Sequence, residues 1–302
     1  MLLPLTLAGC TQSPAQPGPT GPAQSATTAA PSVTPFAEPS ADQSGAPSAA
    51  PSPSPPATPS KEPTSYAQGQ AQLDARLRAA AWANDVPAAE QLIKWGANVN
   101  AKDETVQSAY LIATSEGHLD FLRLTLAHGA DVRDLDSWVG TGLIRAAERG
   151  HWDVVGELIQ AGVPLDHVNR VGYQAIHEAV WFGRDDPTYH ATVRVLVAGG
   201  VQFNAPSVNE GLTPSQMAAR KGFTGQSSVL SALTQTPLPG DPAAALLAGA
   251  ASGDANAVAL ALRAGAPPAT QNADGKPALQ LAEEAGNIEA AQVIRALCNA
   301  CR

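Results

Sequence analysis

The chain has 302 residues and a formal net charge of −9. It carries no basic stripe, which argues against a nucleic-acid partner. Its three cysteines, Cys10, Cys298 and Cys301, are too few for a disulfide framework and wrongly spaced for a zinc module. No apolar run reaches the length of a membrane-spanning helix.

Residues 1–10 read MLLPLTLAGC, a short apolar run ending in Leu7-Ala8-Gly9-Cys10. This resembles a bacterial lipoprotein signal. The resemblance implies that Cys10 is lipidated and that the protein is exported and anchored to a membrane of the bacterial cell envelope, facing the periplasm or the exterior. The alternative is an unexported protein with Cys10 unmodified. Residues 11–70 follow, rich in Pro, Ser, Ala and Thr; the only charges up to residue 68 are Glu38, Asp42, Lys61 and Glu62. Such a stretch has too little apolar surface to offset the entropy of ordering and is expected to be a disordered tether.

From residue 71 to 302 the composition turns to Ala, Leu, Val and Gly, and a period appears. Gly96-Ala97, Gly129-Ala130 and Gly162-Val163 lie 33 residues apart; Gly200-Val201 follows at 38 and Gly265-Ala266 after a further 65, with a degenerate unit between. A second series, Asn84, Gly117, Gly150, Gly183, Gly222, Gly253 and Gly286, marks an earlier point in each unit. In the unit beginning at Thr141, that threonine reads as a helix cap. Leu143, Ala146 and Ala147 form the apolar stripe of a first helix, and Val154, Val155, Leu158 and Ile159 that of a second. The stretch VPLDHVNRVGY then crosses to the next unit as a hairpin-like loop.

The stretches LIATSEGHLDFLRLTLAHGADV, LIRAAERGHWDVVGELIQAGVPL and LQLAEEAGNIEAAQVIRAL resemble the ankyrin repeat. The resemblance implies an all-α solenoid of about seven helix-pair units, the first, fifth and last atypical. Stacked, they would share one continuous elongated core. It makes His177 the repeat histidine that bonds to a neighbouring unit. It implies a non-enzymatic, monomeric binding domain without cofactor or metal, whose partner is another protein. The segment Arg184–His190 reads as about five extra residues between the two helices of its unit. It is either neutral length variation or a ligand loop using Asp185, Asp186, Tyr189 and His190.

The binding face the resemblance implies is concave, built from loop tips and from the two residues before each helix-ending glycine. Trp138, Arg149, Arg170, Tyr173, Trp181 and Phe182 converge on it across the third and fourth units. Exposed aromatics and arginines are what binding hot spots use; packing of the same rings is the competing reading. At the far end, Cys298 and Cys301 are read as a disulfide across the last turn, with thiol–disulfide catalysis as the alternative.

Overall fold

The computed structural model describes residues 65–301; Cys10 and most of the Pro-rich segment lie outside the described residues. Fourteen α-helices follow one another in seven antiparallel pairs: α1 (Ser65–Ala83) with α2 (Val86–Lys94), α3 (Ala109–Glu116) with α4 (Leu119–Ala127), α5 (Gly142–Glu148) with α6 (Trp152–Gln160), α7 (Ala175–Trp181) with α8 (Pro187–Ala198), α9 (Pro214–Lys221) with α10 (Thr224–Gln235), α11 (Pro242–Ser252) with α12 (Ala255–Arg263), and α13 (Ala278–Glu284) with α14 (Ile288–Leu297). Helix α1 starts six residues before the boundary expected at 71, in a stretch free of proline.

Six of the starts are fixed by short polar caps. Asp85, Ser108, Asp186, Thr213, Asp241 and Asp254 each accept a backbone N–H from the first turn, satisfying a donor the helix leaves open. Thr141 departs from its expected role. Its backbone bridges to Leu135, its side chain makes no cap bond, and its Oγ1 is buried without a partner.

Between pairs, the chain makes fingers, four of which share one turn. Asp103, Asp136, Asn169 and Asn272 each accept the backbone N–H groups two and four residues on through one side-chain oxygen. Each also donates its own N–H to the carbonyl four residues on. The turn needs a left-handed residue at its fourth position. Gly172 (φ 88°) and Gly275 (φ 77°) supply it freely, whereas Val106 (φ 65°) and Val139 (φ 61°) are forced into it.

The odd-numbered helices stack as an inner layer from α1 to α9, and the even-numbered helices lie behind them. The inner stack does not run on through all seven pairs. Residues 95–108, 128–141, 161–174, 199–213 and 264–277 give fingers of 14 or 15 residues, but only the six residues 236–241 join α10 to α11. With that finger missing, α11 does not continue on α9. The last two pairs fold back, so that α12 packs on α8 and α14 lies across α6 and α8. Two short solenoids are thus joined through their outer helices.

The seam is close-packed. Val154, Val155 and Leu158 of α6, Val193 to Val197 of α8, Val258 to Leu262 of α12, and Val293 and Ile294 of α14 are buried. A Cβ added to Gly156 would lie 2.2 Å from the carbonyl oxygen of Ala296, so only glycine admits α14 at this approach. Gln160 Nε2 donates to the same oxygen at 2.8 Å. Arg194, 7% exposed, donates to Asn256 Oδ1 and to Glu289, each at 2.8 Å. Arg263 Nη1 donates to the Val197 and Val201 carbonyls at 2.8 and 3.0 Å.

The insertion Arg184–His190 is absorbed structurally. Asp186 caps α8, and Pro187 to Tyr189 lengthen that helix to 12 residues against nine in α6. Tyr189 is buried, and its hydroxyl donates to the Glu148 carbonyl. Asp185 accepts the Gly225 and Gln226 N–H groups at the start of α10, and holds His190 Nε2 at 2.8 Å. The segment clasps three consecutive units, and the side chains of Asp185, Asp186, Tyr189 and His190 all bond within the fold.

A candidate docking groove on the inner helices

Inner helices α5 and α7, with the fingers that precede them, enclose a groove of about 340 Å³ lined by Trp138, Arg145, Glu148, Asn169, Val171, Glu178 and Phe182. The turn at Asp136 presents Trp138, and the turn at Asn169 presents Val171. Arg145 and Glu148 sit on consecutive turns of α5; Glu178 lies in the middle of α7, with Phe182 at its C-terminal cap. Trp138 and Phe182 are each 52% exposed.

The floor is charged. Arg145 Nε lies 2.9 Å from the buried carboxylate of Asp136, and its Nη1 lies 2.6 Å from Glu148 Oε2. Glu178 is 4% exposed, and its Oε1 accepts from Asn169 Nδ2. Burial pushes the Glu178 carboxyl up to about 7; the Asn169 hydrogen bond and Arg145 oppose this, and the Glu148 and Asp136 charges add to it.

The six expected contact residues divide. Trp138 and Phe182 line the groove together. Arg170 is exposed at the finger tip, its N–H bonded to the Trp138 carbonyl. Arg149, exposed at the C-terminal cap of α5, is not part of the groove lining and turns to the preceding unit, where it pairs with Glu116 and the Ser115 carbonyl. Trp181 is half-buried, with the Arg220 and Lys221 cations over its ring at 5.8 and 5.6 Å. Tyr173 is the correction. It is 1% exposed, its ring lies against His177, Trp181 and Phe182, and its hydroxyl donates to Glu210 at 2.8 Å. A ring so enclosed props the neighbouring aromatics and offers a partner no surface.

His177 bridges units: its Nδ1 accepts the Gln174 N–H and its Nε2 donates to the Ala205 carbonyl at 3.0 Å. Burial holds its pKa below the usual imidazole value. Cys298 and Cys301 form a disulfide across the turn that follows α14, with Cα atoms 5.3 Å apart and Cys298 buried. Arg145, Asn169, Val171 and Glu178 were not among the expected site residues. The signal for them is the Asp/Asn turn that aims each finger, together with a charge on the inner-helix stripe.

Helix pairs stacked side by side, with fingers between them, define a helix-pair repeat scaffold. Residues 110–206 match the family model for ankyrin repeats, in three copies. The chain is an ankyrin-repeat protein, and its described part is an all-α ankyrin-repeat domain of seven helix pairs. It is 29% identical over 137 residues to YahD of Escherichia coli (strain K12), a protein named for ankyrin repeats, covering 44% of this chain and 67% of that one. It is 34% identical over 92 residues to the human ankyrin repeat domain-containing protein 63, covering 29% of this chain and only 24% of that one. An ankyrin repeat domain from Acinetobacter baumannii is 42% identical, with a TM-score of 0.49 over 51% of this chain and 78% of that one.

Proposed function

We propose that this chain is an exported, membrane-tethered scaffold that binds another protein through the inner face of its third and fourth units. The observation that carries the docking part is the groove between α5 and α7, walled by two half-exposed aromatic rings over a charged floor. Exposed rings at the centre of a concave face are typical anchors, and truncating such an anchor costs about 2 kcal/mol or more of binding. The Leu7-Ala8-Gly9-Cys10 sequence and the Pro-rich stretch after it support the tether. The ankyrin scaffold supports a binding role rather than catalysis.

Affinity capture from membranes with the full chain as bait tests the docking reading. Trp138→Ala and Phe182→Ala should each weaken capture of the partner about 30-fold or more while leaving the melting temperature unchanged. Glu284→Ala, at the α13 position that corresponds to Trp181, is the control and should leave capture intact. Full capture by both aromatic variants would overturn the docking reading. For the tether, Cys10→Ser should move the protein from the membrane to the soluble fraction; an unmodified Cys10 in the wild-type protein, seen by mass spectrometry, would end that reading.

A further inference from the structure

Two oxygens in the groove lack an intramolecular partner. Glu178 accepts from Asn169 through Oε1 alone, and Glu148 meets Arg145 through Oε2 alone. This leaves Glu178 Oε2, on a side chain 96% buried by its 4% exposure, and Glu148 Oε1 open in one groove. Two carboxylates, Glu148 and Glu178, line the groove beside the guanidinium of Arg145, and the buried Asp136 pairs with the same guanidinium from beneath, which leaves an excess of negative charge. The walls are Trp138 and Phe182, whose ring faces attract cations.

We infer that this groove takes an arginine side chain of the docked protein, its guanidinium lying against Trp138 and Phe182 and donating to Glu178 Oε2 and Glu148 Oε1. The inference rests on the docking reading above and names what the partner must bring. A guanidinium fits better than an ammonium because it is planar, stacks on aromatic faces, presents donors in a fork and is more weakly hydrated. Burying a carboxylate with one open oxygen is costly without a counter-charge, and the incoming cation removes that cost. The groups facing Glu178 are Asn169, Glu148, Arg145 and Asp136; of these only Arg145 is cationic, and it is already committed to the other two carboxylates.

The test titrates N-acetylarginine amide into the full chain and follows the indole N–H resonance of Trp138, assigned with Trp138→Phe. Binding should be saturable. Glu178→Gln, which keeps the Asn169 bond, should weaken it about tenfold, the size of a lost charge-assisted hydrogen bond. Wild-type affinity should fall between about pH 8 and about pH 6 as Glu178 takes up a proton, and that slope should vanish in Glu178→Gln. If Glu178→Gln fails to fold, Phe182→Ala, at an exposed ring, carries the test and should weaken binding several-fold. N-acetylcitrulline amide, neutral and nearly isosteric, should not bind. Equal binding of the citrulline compound, or of N-acetyllysine amide, would overturn the inference, as would unaltered affinity in a folded Glu178→Gln. If no arginine probe binds yet Phe182→Ala still abolishes capture of the protein partner, the arginine assignment falls and the docking surface stands; if capture is also unaffected, both fall.

Discussion

Two residues near the groove carry local costs that stability measurements can read. Glu178 ionises near the ordinary 4.5 when unfolded and at about 7 when folded. The folded state therefore holds the extra proton between those values. The contribution to stability is fully present below about 4.5 and is lost as pH rises through about 7. Relative to wild type, Glu178→Gln should be neutral near pH 4 and more stable by about 1–3 kcal/mol near pH 8, measured by denaturant unfolding across that range. A constant difference between the two proteins at every pH would contradict this account. Val139 holds a β-branched side chain at φ 61°, a conformation that costs about 1–3 kcal/mol. Val139→Gly should recover about 1 kcal/mol net of the glycine's greater entropy when unfolded; a lower melting temperature would mean that the valine packs well enough to outweigh its strain. At this scale the sequence was partly legible. Trp138 and Phe182 are exposed, but Tyr173 stands four residues after Asn169, the place of buried Gly140 after Asp136, and turns inward. The residue type alone does not say which way a ring at a finger base points.

The helices themselves were readable from the glycine period, because the first helix of every pair but the fourth ends at a left-handed residue; Asn84, at φ 53°, fills that role between α1 and α2. What a unit-by-unit reading does not supply is the partner of the outer layer. In a straight stack α6 and α8 would keep a wet face, yet α8 is buried at every position from Ala191 to Ala198. A helix apolar on all sides belongs in an interior, and PTYHATVRVLVA and ANAVALALR carry that mark in the sequence. The six-residue connection 236–241 is the other mark, since a missing finger removes the spacing that keeps inner helices in line. Gly156→Ala tests the seam. Its Cβ would meet backbone, so α14 must shift, at a cost of about 1–3 kcal/mol. Hydrogen exchange should quicken in α14 while α3 is unchanged; uniform exchange throughout would mean that the contact at Ala296 is not needed.

For the whole molecule, the fold-back changes how stability is shared. In a linear repeat array a terminal unit touches one neighbour, and trimming it removes one interface. Here α12 and α14 cover α6 and α8, so the C-terminal pairs support the middle of the chain. Deleting residues 236–302 should therefore destabilise the third and fourth units directly and expose the apolar outer faces of α6 and α8. The truncated protein should self-associate and bind a hydrophobic dye, whereas deleting 65–94 should leave a monomer. A monomeric, fully stable 1–235 chain would show that the seam contributes little.

The bond from Gln160 to Ala296 joins residues 136 apart in sequence, and that separation sets an order in time. Ordinary repeat pairs close over about 33 residues, and contacts so local form early. The seam cannot form until the last helices have left the ribosome. At about 5–20 residues per second, α6 waits on the order of seven seconds or more for its cover. During that interval a nearly complete stack already presents its groove while its back is bare. A nascent chain stalled near residue 235 is thus the species most in need of a chaperone, and release of the final helices is the event that ends that need.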